Sequence, residues 1–120
     1  MAGGDELPED ADLARAAVGE ARERKLRQIA GLEQSVTVIF EAAELTSTDD
    51  EHDPEGSTIA YERAQVLALL RQARADLELL DAAARRLERG DGTGCARCGR
   101  PIGVERLLAL PTTQTCVACA

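Results

Sequence analysis

The chain has 120 residues, which is room for one small domain. Aromatic residues make up 2 % of it, with one Tyr, one Phe and no Trp, so a broad globular core cannot be filled. A net charge of −8 and a pI near 4.6 oppose phosphate backbones and exclude non-specific nucleic-acid binding as the main activity.

Residues 1–8, MAGGDELP, read as a disordered lead-in. They are acidic and lack an apolar stretch, so they suit neither a signal peptide nor a membrane anchor. No later run approaches the roughly 18 apolar residues of a spanning helix. The expectation is a soluble, cytoplasmic protein, in a compartment where reduced thiols favour metal binding over disulfides.

From about Glu9 to Thr46 the pattern is helical, although Gly19 and Gly31 each weaken it by about 1 kcal/mol relative to Ala. Its clearest seam is Ile29, Leu32, Val36, Ile39 and Ala43, with the alternating steps of a coiled coil. Upstream, through Ala17, Val18 and Ala21, the rhythm blurs. That part is expected to pack against more than a single partner helix.

Residues 46–57, TSTDDEHDPEGS, then interrupt the pattern with polar residues, Pro and Gly. From Glu44 to Glu55 the chain carries Glu44, Asp49, Asp50, Glu51, Asp53 and Glu55, and no Lys or Arg. His52, alone among these carboxylates, reads as a solvated turn residue. Asp53 followed by Pro54 fits a helix start. A second helix follows to Arg89, with the seam Ile59, Arg63, Val66, Leu70, Ala73, Leu77, Leu80, Ala84 and Leu87. Arg63 interrupts an otherwise apolar seam near the turn, where a long side chain can reach water. Phe40 and Tyr61 are expected to pack across the pair.

Two helices of similar length joined by a short polar loop predict an antiparallel hairpin. The predicted architecture is mostly α: a long two-helix coiled-coil hairpin over residues 9–90, with a tip loop at 46–57. A small four-cysteine zinc finger follows over 91–120. In it, Gly90, Gly92 and Gly94 end the helix, and Glu105–Leu110 forms a short helix stopped by Pro111.

The cysteines are spaced Cys95-x2-Cys98, then Cys116-x2-Cys119. Each close pair turns two sulfurs towards one ion, and two such pairs complete a tetrahedron of thiolates around zinc. Gly99 eases the first turn so that backbone N–H groups can point at the sulfurs. All four positions are filled by protein, so the single zinc ion is structural and no catalytic site is expected. A redox dithiol would need a strand-to-helix setting that this helical chain does not offer.

The string CARCGRPIGVERLLALPTTQTCVACA, behind a long helix, resembles the DksA/TraR zinc-finger family, its short actinobacterial members above all. The specific pattern runs over residues 95–119, while residues 9–94 share the architecture. The resemblance implies a cytoplasmic factor that binds RNA polymerase rather than promoter DNA. Its coiled coil would enter the secondary channel and carry an acidic tip towards the catalytic magnesium.

On this reading the partner-binding tip is Asp49, Asp50, Asp53, Glu55 and Thr58. Well-studied members carry Asp-x-x-Asp-x-Ala there. A register starting at Asp50 matches both acids, through Asp53, but places Glu55 at the Ala position; one starting at Asp53 matches the first acid alone, with Gly56 and Thr58 at the other two positions. At the other end Arg86, Arg89, Arg97, Arg100 and Arg106 form a candidate partner-binding base. They equally suit compensation of the helix dipole and of the anionic zinc cluster. Little direct synergy with ppGpp is expected, because Leu110 precedes Pro111 where responsive members present an Arg. A monomer without membrane or direct nucleic-acid contact is the leading expectation. The alternative is a DNA-binding or adaptor protein acting through the arginine-rich finger end.

Overall fold

A computed structural model describes residues 8–46 and 54–120. The chain forms two long α-helices, α1 (Pro8–Thr46) and α2 (Pro54–Glu88), and a small finger holding helix α3 (Val104–Ala109). One turn of 3-10 helix, Val117–Cys119, closes it. Among the described residues the only β pairing is an isolated bridge between Gly94 and Pro101. No described helix is long and apolar enough to cross a membrane.

The chain divides into two compact units, Met1–Arg24 with Leu77–Ala120, and Lys25–Asp76. In the second unit the two helices run antiparallel. Lys25 pairs with Asp76, Glu33 with Arg74, and Phe40 with Arg63, so contacts step up one helix and down the other. The seam is apolar for the physical reason the heptad spacing implies: those positions return to one stripe on each helix. Leu70, Ala73 and Ile29 are buried, and Leu32, Val36, Ile39 and Val66 are half-buried. A two-helix seam cannot enclose its residues on all sides, which explains the partial burial.

Two expectations near the turn need correction. Arg63 does not stretch away to water. It is half-buried, with its guanidinium 5.2 Å from the centroid of the Phe40 ring, a cation–π distance. Tyr61 does not pack across the pair and is 71 % exposed. Its position lies off the seam, and its ring has no helix to lie against.

The first unit has a proper core. Ala14 and Val18 of α1 pack with Leu80, Ala83 and Leu87 of α2, and with Cys95, Ile102, Leu107 and Cys116 of the finger. Here α1 meets both a helix and the finger, which accounts for the blurred rhythm through Ala17, Val18 and Ala21. Small residues at 14 and 83 stand where the two helices meet, and Val18, Leu80, Leu87, Ile102 and Leu107 supply the larger buried side chains. Fully burying a leucine stabilises by about 1.5–3 kcal/mol.

Helix α2 ends in a Schellman arrangement. Asp91 N–H donates to Arg86 O at 3.1 Å and Gly90 N–H to Leu87 O at 3.1 Å. The chain then doubles back so tightly that a Cβ on Gly92 would sit 2.8 Å from the backbone nitrogen of Leu87. Only glycine fits that approach. This turn aims the following residues, 93–95, into the core.

Candidate metal centre

Two knuckles present the four thiols. In the first, the Gly94–Pro101 bridge is flanked by Ile102 N–H to Thr93 O at 2.9 Å and Cys95 N–H to Arg100 O at 2.8 Å. These bonds close residues 95–100 into a loop with Cys95 and Cys98 on its inner side. Gly99 adopts φ 77°, a conformation other residues rarely take, and donates its N–H to Cys95 O at 2.9 Å. Arg97 N–H points at Cys95 Sγ at 3.4 Å, the N–H···S contact expected of such a turn. In the second knuckle the 3-10 turn brings Cys119 N–H to Cys116 O at 3.1 Å. Ala96 N–H to Gln114 O at 2.8 Å ties the knuckles together.

The resulting thiols fit one zinc ion. All four Sγ atoms lie within 4.8 Å of one another. Cys98 and Cys116 Sγ are 3.7 Å apart. Tetrahedral zinc with bonds of about 2.3 Å requires sulfurs about 3.8 Å apart, whereas a disulfide requires about 2.05 Å. Cys95 and Cys116 are buried, Cys119 is half-buried and Cys98 is exposed. Bound there, zinc would cross-link the two knuckles, and four protein thiolates leave no position for substrate.

The metal-free thiols perturb one another strongly. Backbone N–H groups of Cys116 and Cys98, outweighing the burial that opposes them, lower Cys95 to about 6. Burial pushes Cys116 up, yet hydrogen bonds from the Cys119 backbone and the Cys98 thiol leave it lowered overall. Cys119, hydrogen-bonded to the thiols of Cys116 and Cys98, is pushed up to about 12. Such a cluster cannot carry four negative charges by itself. It needs a cation at its centre.

Three of the five base arginines hold the finger together. Arg106 Nε donates to Thr115 O at 2.9 Å, Arg97 to Cys119 O at 3.3 Å, and Arg86 to Thr112 O at 3.4 Å. Burial lowers the pKa of Arg86, with Asp91 opposing. Arg89 faces Asp91 at 3.7 Å, and Arg100 is exposed. Sequence reasoning could see that this end is basic, but not that backbone carbonyls of the second knuckle would take the guanidinium donors. It also passed over Thr93, buried beside Cys95 in the turn after α2, and Ala14, whose burial depends on the finger.

Of the acidic tip, Asp49, Asp50 and Asp53 lie outside the described residues, as does the side chain of Glu55. Thr58 is exposed in the first turns of α2. His52 is also outside the described residues.

Helices α1 and α2 with a four-thiolate finger define a helical zinc-finger protein. Residues 85–120 match the prokaryotic dksA/traR C4-type zinc finger. Among solved structures the chain is similar to that of transcription factor DksA2 from Pseudomonas aeruginosa, at 29 % identity and a TM-score of 0.54. The likeness covers 87 % of this chain and 80 % of that one, so it takes in long helices as well as finger. No curated protein sequence matches the chain. Residues 85–120 are thus a finger of the DksA/TraR type, and the likeness over the long helices supports the same family for the rest of the chain.

Proposed function

We propose that the protein regulates transcription by binding RNA polymerase. Its coiled coil enters the secondary channel, and the acidic stretch around Asp50 and Asp53 acts near the catalytic metal. The observation that carries this reading is the likeness to a transcription factor across 87 % of the chain, helices and finger together. A second support is the charge order in the sequence. Six carboxylates stand between Glu44 and Glu55 with no Lys or Arg. Concentrated negative charge suits a basic, metal-bearing channel.

The finger then serves as the base, with zinc as its internal cross-link. Because Arg86, Arg97 and Arg106 already donate to finger carbonyls, Arg89 and Arg100 are the better candidates for contact with the partner. The same bonds weaken the alternative of DNA binding through the arginine-rich end, since three of the five arginines are engaged internally and the net charge is −8.

The test is capture of purified RNA polymerase by the chain, with site-directed cross-linking from position 53. Cross-links to the channel interior are expected. The double variant Asp50→Asn with Asp53→Asn should fold and bind but lose its effect on promoter output. Unchanged output from that variant would remove the tip from the mechanism. Failure to capture polymerase would remove the reading itself.

A further inference from the structure

The two edges of the Lys25–Asp76 unit are built differently. On one edge Arg74 reaches Glu33 at 2.9 Å and Arg63 covers the Phe40 ring, so charge and aromatic surface close the gap between the helices. On the other edge Gly31, Val38 and Ile39 of α1 face Glu62, Gln65 and Val66 of α2 around an open hollow of about 440 Å³. The ion pair Lys25–Asp76 lies outside the residues that line it. Val38 is 57 % exposed, and Leu69, one turn beyond Val66, is 49 % exposed. Apolar surface is therefore left in water along this edge, with no ion pair or cation among the described residues closing over it.

Gly31 adds an independent observation. A Cβ there would meet nothing within 4 Å, so packing within the chain does not require glycine. The helix itself would be stronger with Ala. The missing side chain widens the hollow and does nothing else that the fold uses. The one charge lining the hollow is Glu62, which has no ion-pair partner among the described residues. The nearby cations Arg63 and Arg74 are engaged on the opposite edge.

We propose that this hollow seats the apolar stripe of an amphipathic helix from a partner protein, with a Lys or Arg of that helix paired to Glu62. Shape selects the helix and charge selects its flanks. A second copy of this chain is a poor occupant. A two-fold axis through the hollow would bring Glu62 towards its own copy, with no cation in either lining to pair it. None of the lining residues belongs to the acidic stretch at 44–55, and the test does not involve polymerase.

The experiment follows backbone amide shifts of the full, zinc-loaded chain during titration with a synthetic helical peptide bearing a Leu stripe flanked by Lys. The same peptide with Glu in place of Lys is run in parallel. The Leu/Lys peptide should shift Gly31, Val38 and Val66 saturably, and the Leu/Glu peptide should bind at least tenfold more weakly. Gly31→Leu fills the hollow and should weaken the Leu/Lys peptide at least tenfold while leaving the thermal midpoint equal or higher. Glu62→Lys should invert the preference between the peptides. No shift at those amides overturns the proposal, and so does binding indifferent to Gly31→Leu, which marks mere attraction to an acidic chain. A dimer that forms without peptide and shifts the same amides overturns it in favour of self-association.

Discussion

Arg106, on the short helix α3, donates from Nε to the carbonyl of Thr115 at 2.9 Å, one residue before the ligand Cys116. The contact couples the orientation of α3 to the second knuckle. A charged donor on a partly buried carbonyl is worth about 1.5–3 kcal/mol. Arg106→Ala should destabilise the finger by about 1–2 kcal/mol, allowing for water that replaces the lost donor. Arg106→Lys should recover little of this, because an ammonium cannot reproduce the side-on Nε geometry. Thermal melts and zinc competition on both variants would check it, and equal stability of all three proteins would remove the coupling.

Gly92 makes a sharper case. Its missing Cβ leaves room for the Leu87 backbone, which cannot rotate away as a side chain could. Gly92→Ala should therefore cost about 1–3 kcal/mol, the range for overpacking. Denaturant titration would measure it. Gly90→Ala in parallel should also lose stability, through the strained φ of 86° and not through contact.

Gly19 carries the opposite sign. It lies mid-helix in α1, and an added Cβ there would meet nothing within 4 Å. Gly19→Ala should stabilise by about 0.5–1 kcal/mol through helix propensity and the reduced freedom of the unfolded chain. A lower denaturation midpoint would show that glycine is needed there for a reason other than packing.

Zinc affinity should depend on pH with a definite sign. Protons and metal compete for the same sulfurs, so acidification must weaken binding. Cys95, near 6 without metal, competes only below about pH 6. Cys119, near 12 without metal, is protonated throughout the neutral range, so its proton must leave when zinc enters. Apparent affinity should rise about tenfold per pH unit from that group alone. Competition with a chromophoric chelator at pH 6, 7 and 8 would read the slope. Zinc removal should also expose the finger amides at 95–119 to hydrogen exchange.

Much of this arrangement is legible in the residues. The seam positions Leu70, Ala73, Leu80 and Leu87 are buried because coiled-coil spacing sets a local periodicity, and a local rule can be read locally. The thiol cluster is legible for the same reason: each Cys-x2-Cys is a short-range turn. What escaped reading depends on distant partners. Ala14 looks like any helix alanine until Cys95 and Cys116 arrive beside it. Arg97 and Arg106 look like surface charge until the carbonyls of Cys119 and Thr115 take their donors. Tyr61 suggests packing by its aromatic character, but helical phase puts it off the seam and leaves it exposed. Gly31 was legible as a weak point in a helix, but its place beside an open hollow required the second helix.

The core that joins Ala14 and Val18 to Cys95, Ile102 and Cys116 has an order-of-synthesis consequence. A ribosome makes the beginning of α1 long before the residues that cover it. Until the finger emerges and takes up its ion, the nascent chain must hold those early alanines and valines unshielded. The beginning of α1 thus reaches its buried state only once residues 95–116 have been made, which ties its shielding to a segment about eighty residues downstream.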